Sequence, residues 1–392
     1  MNGRVGLLLL FLGFIGVCLS APAKTKHQRK RVIHGRPWFG LTPKPNKVEG
    51  PLNPGVSGDQ YIASKVDHFD SSNNNTYRQR YWYNNQWYSA GGPVFLMIGG
   101  ESAEDNRWVA NANLVWTQLA AENNAMVFLL EHRYYGASQV TADQSTANLK
   151  YLSSRQALAD IADFIPAMTT KFNLQGAKWI TFGGSYSGAL AAWSRMLYPD
   201  LIYGAVGSSG PVQAVVDFVG YLEVVSNDLN TYSMDCGNSL KNALAQIPQL
   251  LTTSQGRQQL FKGFQIEEVF SCFKSYMYTR LELFFSWYVN QCALIYGSQF
   301  SNTTVYSSIA STNGFYHGQN GYNATRIVLP NGTNDPWHVL GVLNAPNSQA
   351  YPIIINGTAH CADMYGDSST DPASLTAART QIRSIVNSWF KS

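Results

Sequence analysis

Residues 181–190 read TFGGSYSGAL and follow directly on the apolar pair Trp179-Ile180. Few stretches of ten residues restrict a fold as strongly. A serine set among glycines, after a strand and before a helix, is the signature of a nucleophile elbow. In Gly183-Gly184-Ser185-Tyr186-Ser187-Gly188 the two end glycines take the motif's outer positions. The turn is so tight that larger side chains would collide. It also forces the serine into a strained backbone that lifts its hydroxyl clear of the sheet. A plain turn rich in small residues is the competing reading, and the surrounding pattern has to choose.

That pattern alternates. PVFLMIGG (93–100) and AMVFLLEHRYYG (125–136) each begin with a short apolar run and end on polar or glycine positions. Such runs suit buried parallel strands. Residues 108–121 between them read as a helix. SSRQALADIADFIPAMTTKF (153–172) has a serine cap and apolar residues at helical spacing. A strand at 178–182, a helix at 187–197 closed by Pro199 and a strand at 204–209 continue the alternation. ATRIVLP (324–330) and YPIIING (351–357) are late strands, and residues 371–390 close the chain as an amphipathic helix. Strands alternating with helices imply a parallel sheet covered on both faces. YRQRYWYNNQWY (77–88) reads as an aromatic strand, a turn at Asn84-Asn85 and a return strand.

Between 213 and 300 the alternation gives way to helix-like stretches such as KNALAQIPQLL and RQQLFKGF. The expected organisation is therefore a leader at 1–21, a basic prosegment or irregular arm at 22–59, an α/β domain at 60–212 and 323–392, and a helical insertion at 213–322. At 392 residues and 45% hydrophobic content a sizeable core is affordable, and global disorder is not expected.

The leader reads as a signal peptide. Arg4 precedes the apolar run Val5 to Val17, and Cys18-Leu19-Ser20-Ala21 supplies small residues for cleavage. Secretion or delivery to the lysosome follows as an expectation. No later stretch approaches the roughly 20 apolar residues of a membrane span. Seven of the 28 Lys and Arg residues, and none of the 24 acids, fall within residues 1–36. Beyond the leader acids outnumber bases, so the net charge of +4 argues for no nucleic-acid partner. HQRKR at 27–31 is either a processing site or a solvated charge run. Cys236, Cys272, Cys292 and Cys361 remain after signal removal and permit two disulfides. Sequons begin at Asn74, Asn302, Asn323, Asn331 and Asn356, which are glycosylation candidates.

A serine hydroxyl is a weak nucleophile until a base takes its proton, and the base needs an acid to fix its tautomer. On an elbow fold the order is serine, acid, histidine, with the last two just after late strands. Asp335 in PNGTNDPW and His360 in NGTAHCADMY occupy those places. An Asx turn before Pro336 is the plainer reading of Asp335, and a satisfied loop histidine that of His360. The other histidines fit worse: His68 and His132 precede the serine, and His317 precedes the penultimate strand. The expected oxyanion donors are the amide of Tyr186 and the GGES loop at 99–102, through Gly100 and Glu101. No metal and no cofactor is called for.

The quoted motifs, together with HFDSSNNNTYRQRYW, EHRYYG, GSSGPVQA and NGTNDPWHVLG, resemble the family of lysosomal Pro-Xaa carboxypeptidase, dipeptidyl peptidase II and thymus-specific serine protease. The likeness runs from about residue 60 to the C-terminus, and AHCAD leans toward the thymus-specific protease branch. The resemblance implies an α/β-hydrolase fold with a helical cap, exopeptidase action on proline-containing peptides, and a triad at Ser185, Asp335 and His360. The family carries an aromatic stretch with a Cys-Thr-Glu element before its NQC segment. Here residues 267–292 pass through without one, so the cap reads as shortened. The resemblance then implies lost cap cysteines, one disulfide within the insertion and none from Cys361. A catalytically impaired member and a secreted esterase or lipase stay open as alternatives, as does a homodimer.

Overall fold

The computed structural model describes residues 32–33, 36–37, 44–48, 52–264 and 283–391. The expected signal peptide, the HQRKR stretch, Cys272 and residues 267–282 of the shortened segment lie outside them. The described residues belong to two compact units, one of residues 39–214 with 310–392 and one built on residues 215–309.

The larger unit is an eight-stranded mixed sheet. Its strands are β1 (Gln60–Lys65), β2 (Thr76–Asn84), β3 (Val94–Ile98), β4 (Met126–Leu130), β5 (Trp179–Gly184), β6 (Gly204–Ser208), β7 (Ile327–Gly332) and β8 (Ala350–Ile355). Their spatial order is β8-β7-β6-β5-β3-β4-β2-β1. The six strands from β8 to β4 run parallel, and β2 and β1 join antiparallel. Every residue of β3 to β7 is buried, the behaviour of a sheet shielded on both faces.

Helices supply the shield. α1 (Val115–Glu122) and, at the chain's end, Ala373–Ser388 cover one face, where Leu119, Ile382 and Val386 pack with Phe95, Ile180 and Val328. α2 (Ser154–Lys171) and α3 (Tyr186–Leu197) cover the other, where Phe164 and Leu190 pack with Leu96, Phe128 and Leu329. Ser153 caps α2 by accepting the Gln156 amide at 3.2 Å. This is an α/β-hydrolase sheet, with the turn that bears Ser185 between β5 and α3.

Two local expectations fail. The helix expected over 108–121 is broken: a single turn at Arg107–Ala110 ends before α1 begins at Val115. Asn111 is responsible, because its side chain accepts the Asn113 amide at 2.9 Å and turns the chain. The return strand after Asn84-Asn85 does not form either. Asn84 instead accepts the Gln86 amide at 3.0 Å and donates to the Val109 carbonyl at 2.9 Å, and β2 pairs with β1 and β4.

The second unit is helical, with α4 (Val219–Tyr232), α5 (Met234–Ala245), α6 (Ile247–Thr252), α7 (Ser254–Phe264), α8 (Leu283–Tyr296) and the start of α9 (Asn302–Tyr316). Ser233 caps α5 through the Cys236 amide.

Candidate active site

Ser185 is the junction of β5 and α3. Its φ of 62° and ψ of −131° lie in a region that L-residues rarely adopt. The strain is held by the Ser185 amide donating to the Ser208 carbonyl at 2.9 Å on the neighbouring strand. The elbow differs from the standard motif in one respect. Two places after Ser185 stands Ser187, not glycine, and its hydroxyl donates to the Gly184 carbonyl at 2.8 Å and accepts the Gly184 amide at 3.1 Å. Gly188 is required for packing instead, since a Cβ there would meet the Ser208 carbonyl oxygen at 2.4 Å.

Asp335 follows β7 and is fully buried. Its two carboxylate oxygens take different partners. One carboxylate oxygen accepts the Trp337 amide at 3.0 Å, the Asx turn, and the other accepts from His360 Nδ1 at 2.7 Å. His338, one turn on, donates from Nδ1 to the Asp335 carbonyl at 2.7 Å and leaves the carboxylate to His360.

With Nδ1–H donating to Asp335, the neutral His360 ring carries its lone pair on Nε2. That atom is buried and makes no hydrogen bond. Burial alone would lower the pKa of the ring, but the Asp335 hydrogen bond, with Cys361 adding, outweighs it and raises the value above the ordinary 6.5. The histidine loop lies against the elbow. A Cβ on Gly184 would strike Met364 Sδ at 2.3 Å and Cys361 Sγ at 3.0 Å.

The Tyr186 ring is steered from below. His132 donates from Nδ1 to the Arg133 carbonyl at 2.8 Å, and burial lowers its pKa to about 4, so the ring is neutral. Its Nε2 therefore accepts, and the Tyr186 phenol donates to it at 3.1 Å. His132 entered the sequence reading only as a rejected base. Its spacing from Tyr186 carried no signal, because the two meet across the sheet.

In the GGES loop the Gly99 amide is spent on the Leu130 carbonyl at 2.8 Å. The Gly100 amide faces the Glu104 carboxyl group and works against the rise in its pKa. Glu104 was not foreseen. Burial raises its pKa to about 8, Lys44 opposes this, and Glu131 and Asp105 add to it. Its Oε2 is buried without a hydrogen-bond partner. Gly100, Glu101, Glu104, Gly184, Ser187 and Met364 line a cavity of about 30 Å³ beside the elbow. That is room for about one water molecule.

Elsewhere, Asn74, Asn302, Asn323 and Asn356 are exposed. Asn331 sits inside β7 at 2% exposure. A glycan has no room there, so this sequon drops out of the candidates. The described cysteines form no disulfide with one another. Cys236 and Cys292, both exposed, are thus not the expected pair within the insertion. Among the described residues no group of three or more His, Cys, Asp or Glu is placed to hold a metal ion. No described helix is long and apolar enough to cross a membrane.

The sequence profile described as serine carboxypeptidase S28 matches residues 64–286 and 270–382. The chain belongs to that family. A Caenorhabditis elegans chain named as a serine protease, K12H4.7, is 38% identical, with 95% of this chain and 96% of that one covered. The human thymus-specific serine protease is 27% identical, covering 84% of this chain and 86% of its own. The mouse lysosomal Pro-X carboxypeptidase is 32% identical over 66% of this chain and 52% of its own. The nematode alignment spans 490 positions, more than the 392 residues present here. This relative therefore carries segments with no counterpart in this S28 member, and the two profile matches meet at 270–286.

Proposed function

We propose that this S28 member is a secretory-pathway serine exopeptidase, secreted or lysosomal, that hydrolyses peptides, proline-containing ones among them, through an acyl-enzyme on Ser185. The observation that carries the reading is the buried, unbonded Nε2 of His360, whose opposite ring nitrogen is locked onto Asp335. It lies on a loop packed against the strained turn that bears Ser185.

In this mechanism Ser185 Oγ attacks the scissile carbonyl carbon as its proton passes to His360 Nε2. Asp335 holds the ring in the tautomer that can accept and stabilises the imidazolium formed. The Tyr186 amide and the Gly100–Glu101 loop receive the oxyanion. Nε2 then returns its proton to the leaving amine nitrogen, the C–N bond breaks and the acyl-enzyme remains. Water, deprotonated by the same Nε2, attacks the ester and releases the second product with Ser185 restored.

Labelling with a fluorophosphonate probe tests the assignment: the wild-type chain should react and Ser185→Ala should not. Undiminished labelling of Ser185→Ala would sink it. The segments this chain lacks relative to the nematode protein favour a second reading, an intact triad behind an altered substrate pocket. Probe labelling without turnover of any proline-containing peptide, at acidic or neutral pH, selects that reading. Turnover of aryl esters alone selects an esterase.

A further inference from the structure

The GSSG stretch at 207–210 has no part in the chemistry above, yet three elements of the site converge on it. Ser208 ends β6 in register with Gly184 at the end of β5. Its carbonyl accepts the Ser185 amide at 2.9 Å, and Cys361 Sγ approaches the same oxygen at 3.8 Å. Its hydroxyl donates to Asp363 Oδ2 at 2.5 Å. Ser209 adopts a positive φ of 46°. Its amide donates to the Pro330 carbonyl at 2.7 Å on β7, the strand that leads to Asp335. Its hydroxyl accepts the Cys361 amide at 3.0 Å.

All three side chains are buried, and Arg379 closes the far side by donating to the Ala362 carbonyl at 2.9 Å. Cys361 has a φ of 57°, so the residue following the base is held in a conformation that it would not choose alone. Two side-chain bonds from adjacent serines thus fix the turn that presents His360, and the Ser208 carbonyl also anchors the turn that presents Ser185.

We propose that Ser208, Ser209 and Asp363 are positioning residues that set the approach of the Ser185 hydroxyl to His360 Nε2. None of them touches substrate. The inference rests on the reading that Ser185 and His360 act as nucleophile and base. Loop displacement of the order of 1 Å is enough to cost about 100-fold in rate. Loss of one of two tethers should cost less.

The test uses the full chain with Ser208→Ala, Ser209→Ala and the shape-preserving Asp363→Asn. Each should lower kcat by about 10-fold with KM unchanged, and slow the fluorophosphonate reaction in parallel, while the folded fraction stays at the wild-type level. Ser208→Thr, which keeps the hydroxyl, should restore kcat. Asp363, whose pKa burial raises to about 6, is a negative charge near His360 above that pH, with Arg379, Asp335 and the Cys361 thiol the other titratable groups facing this turn. Asp363→Asn should therefore move the acid limb of the activity profile to lower pH, a shift that a purely structural role does not produce. Wild-type kcat in all three variants, or losses no larger than the drop in folded protein, would overturn the inference. If those variants behave as wild type while Ser185→Ala is unreactive, this inference alone fails. If Ser185→Ala still reacts, the underlying triad reading fails first.

Discussion

The two units of this chain reach order by different means. In the α/β unit, β3 and β4 bury every side chain, and Phe164 on α2 packs edge-on against Tyr81 at 5.3 Å and Phe128 at 5.8 Å. In the helical unit, Val224 and Val289 are the buried ones among the described apolar side chains. α5 and α6 bury none, while Tyr232 is 87% and Leu294 80% exposed. Triad chemistry tolerates placement errors of a fraction of an ångström, and interiors packed to crystal density provide that tolerance. The helices of the second unit have no such demand on them. Chemistry and stability should therefore be concentrated in one unit, and five substitutions test that separation.

The largest effect belongs to Asp335→Asn. The amide cannot hold His360 in the accepting tautomer, and kcat should fall on the order of 10³- to 10⁴-fold. A matching charge loss in the other unit, Asp235→Asn in the first turn of α5, should leave kcat unchanged. The residual activity also tests the pH reading. In the proposed mechanism His360 acts only when neutral, and its pKa is raised above 6.5 chiefly by the Asp335 bond set against burial. Wild-type kcat/KM should thus climb with pH through a midpoint above 6.5, and that midpoint should move down in Asp335→Asn. A midpoint unmoved by the substitution would dissociate the observed activity from this pair.

Much of this arrangement could be read from the chain. The buried runs VFLMI and MVFLL, the order serine–acid–histidine and the places of Asp335 and His360 after late strands are local or ordered signals. What escaped depends on contacts between distant residues. Ser208 and Asp363 are 155 positions apart, and His132 and Tyr186 are 54 apart; neither pair has a periodicity to betray it. The broken helix before α1 escaped for another reason. Its apolar spacing is helical, but the Asn111 side chain competes for the backbone, and periodicity alone cannot weigh that competition.

A smaller effect, on stability alone, is expected from Phe164→Ala. The ring is 1% exposed and fills the space between α2 and the sheet. Its removal costs about 3–5 kcal/mol, from lost transfer energy and the cavity left behind. Urea unfolding should show this as a lowered midpoint with an unchanged slope. A cost under about 1 kcal/mol would mean that the core repacks freely, and the contrast between the units would lose its physical basis.

The smallest effect is predicted for Leu222→Ser and Leu294→Ser in the helical unit, at 58% and 80% exposure. Both side chains already meet water, so folding gains little from them. Each substitution should change stability by less than about 0.5 kcal/mol. The two leucines stand on different helices, α4 and α8, so agreement between them would describe the unit and not one position. A loss of about 2 kcal/mol or more at either would show that the side chain is covered in solution. The helical unit would then owe its order to buried surface, as the α/β unit does, and the division of labour argued above would collapse.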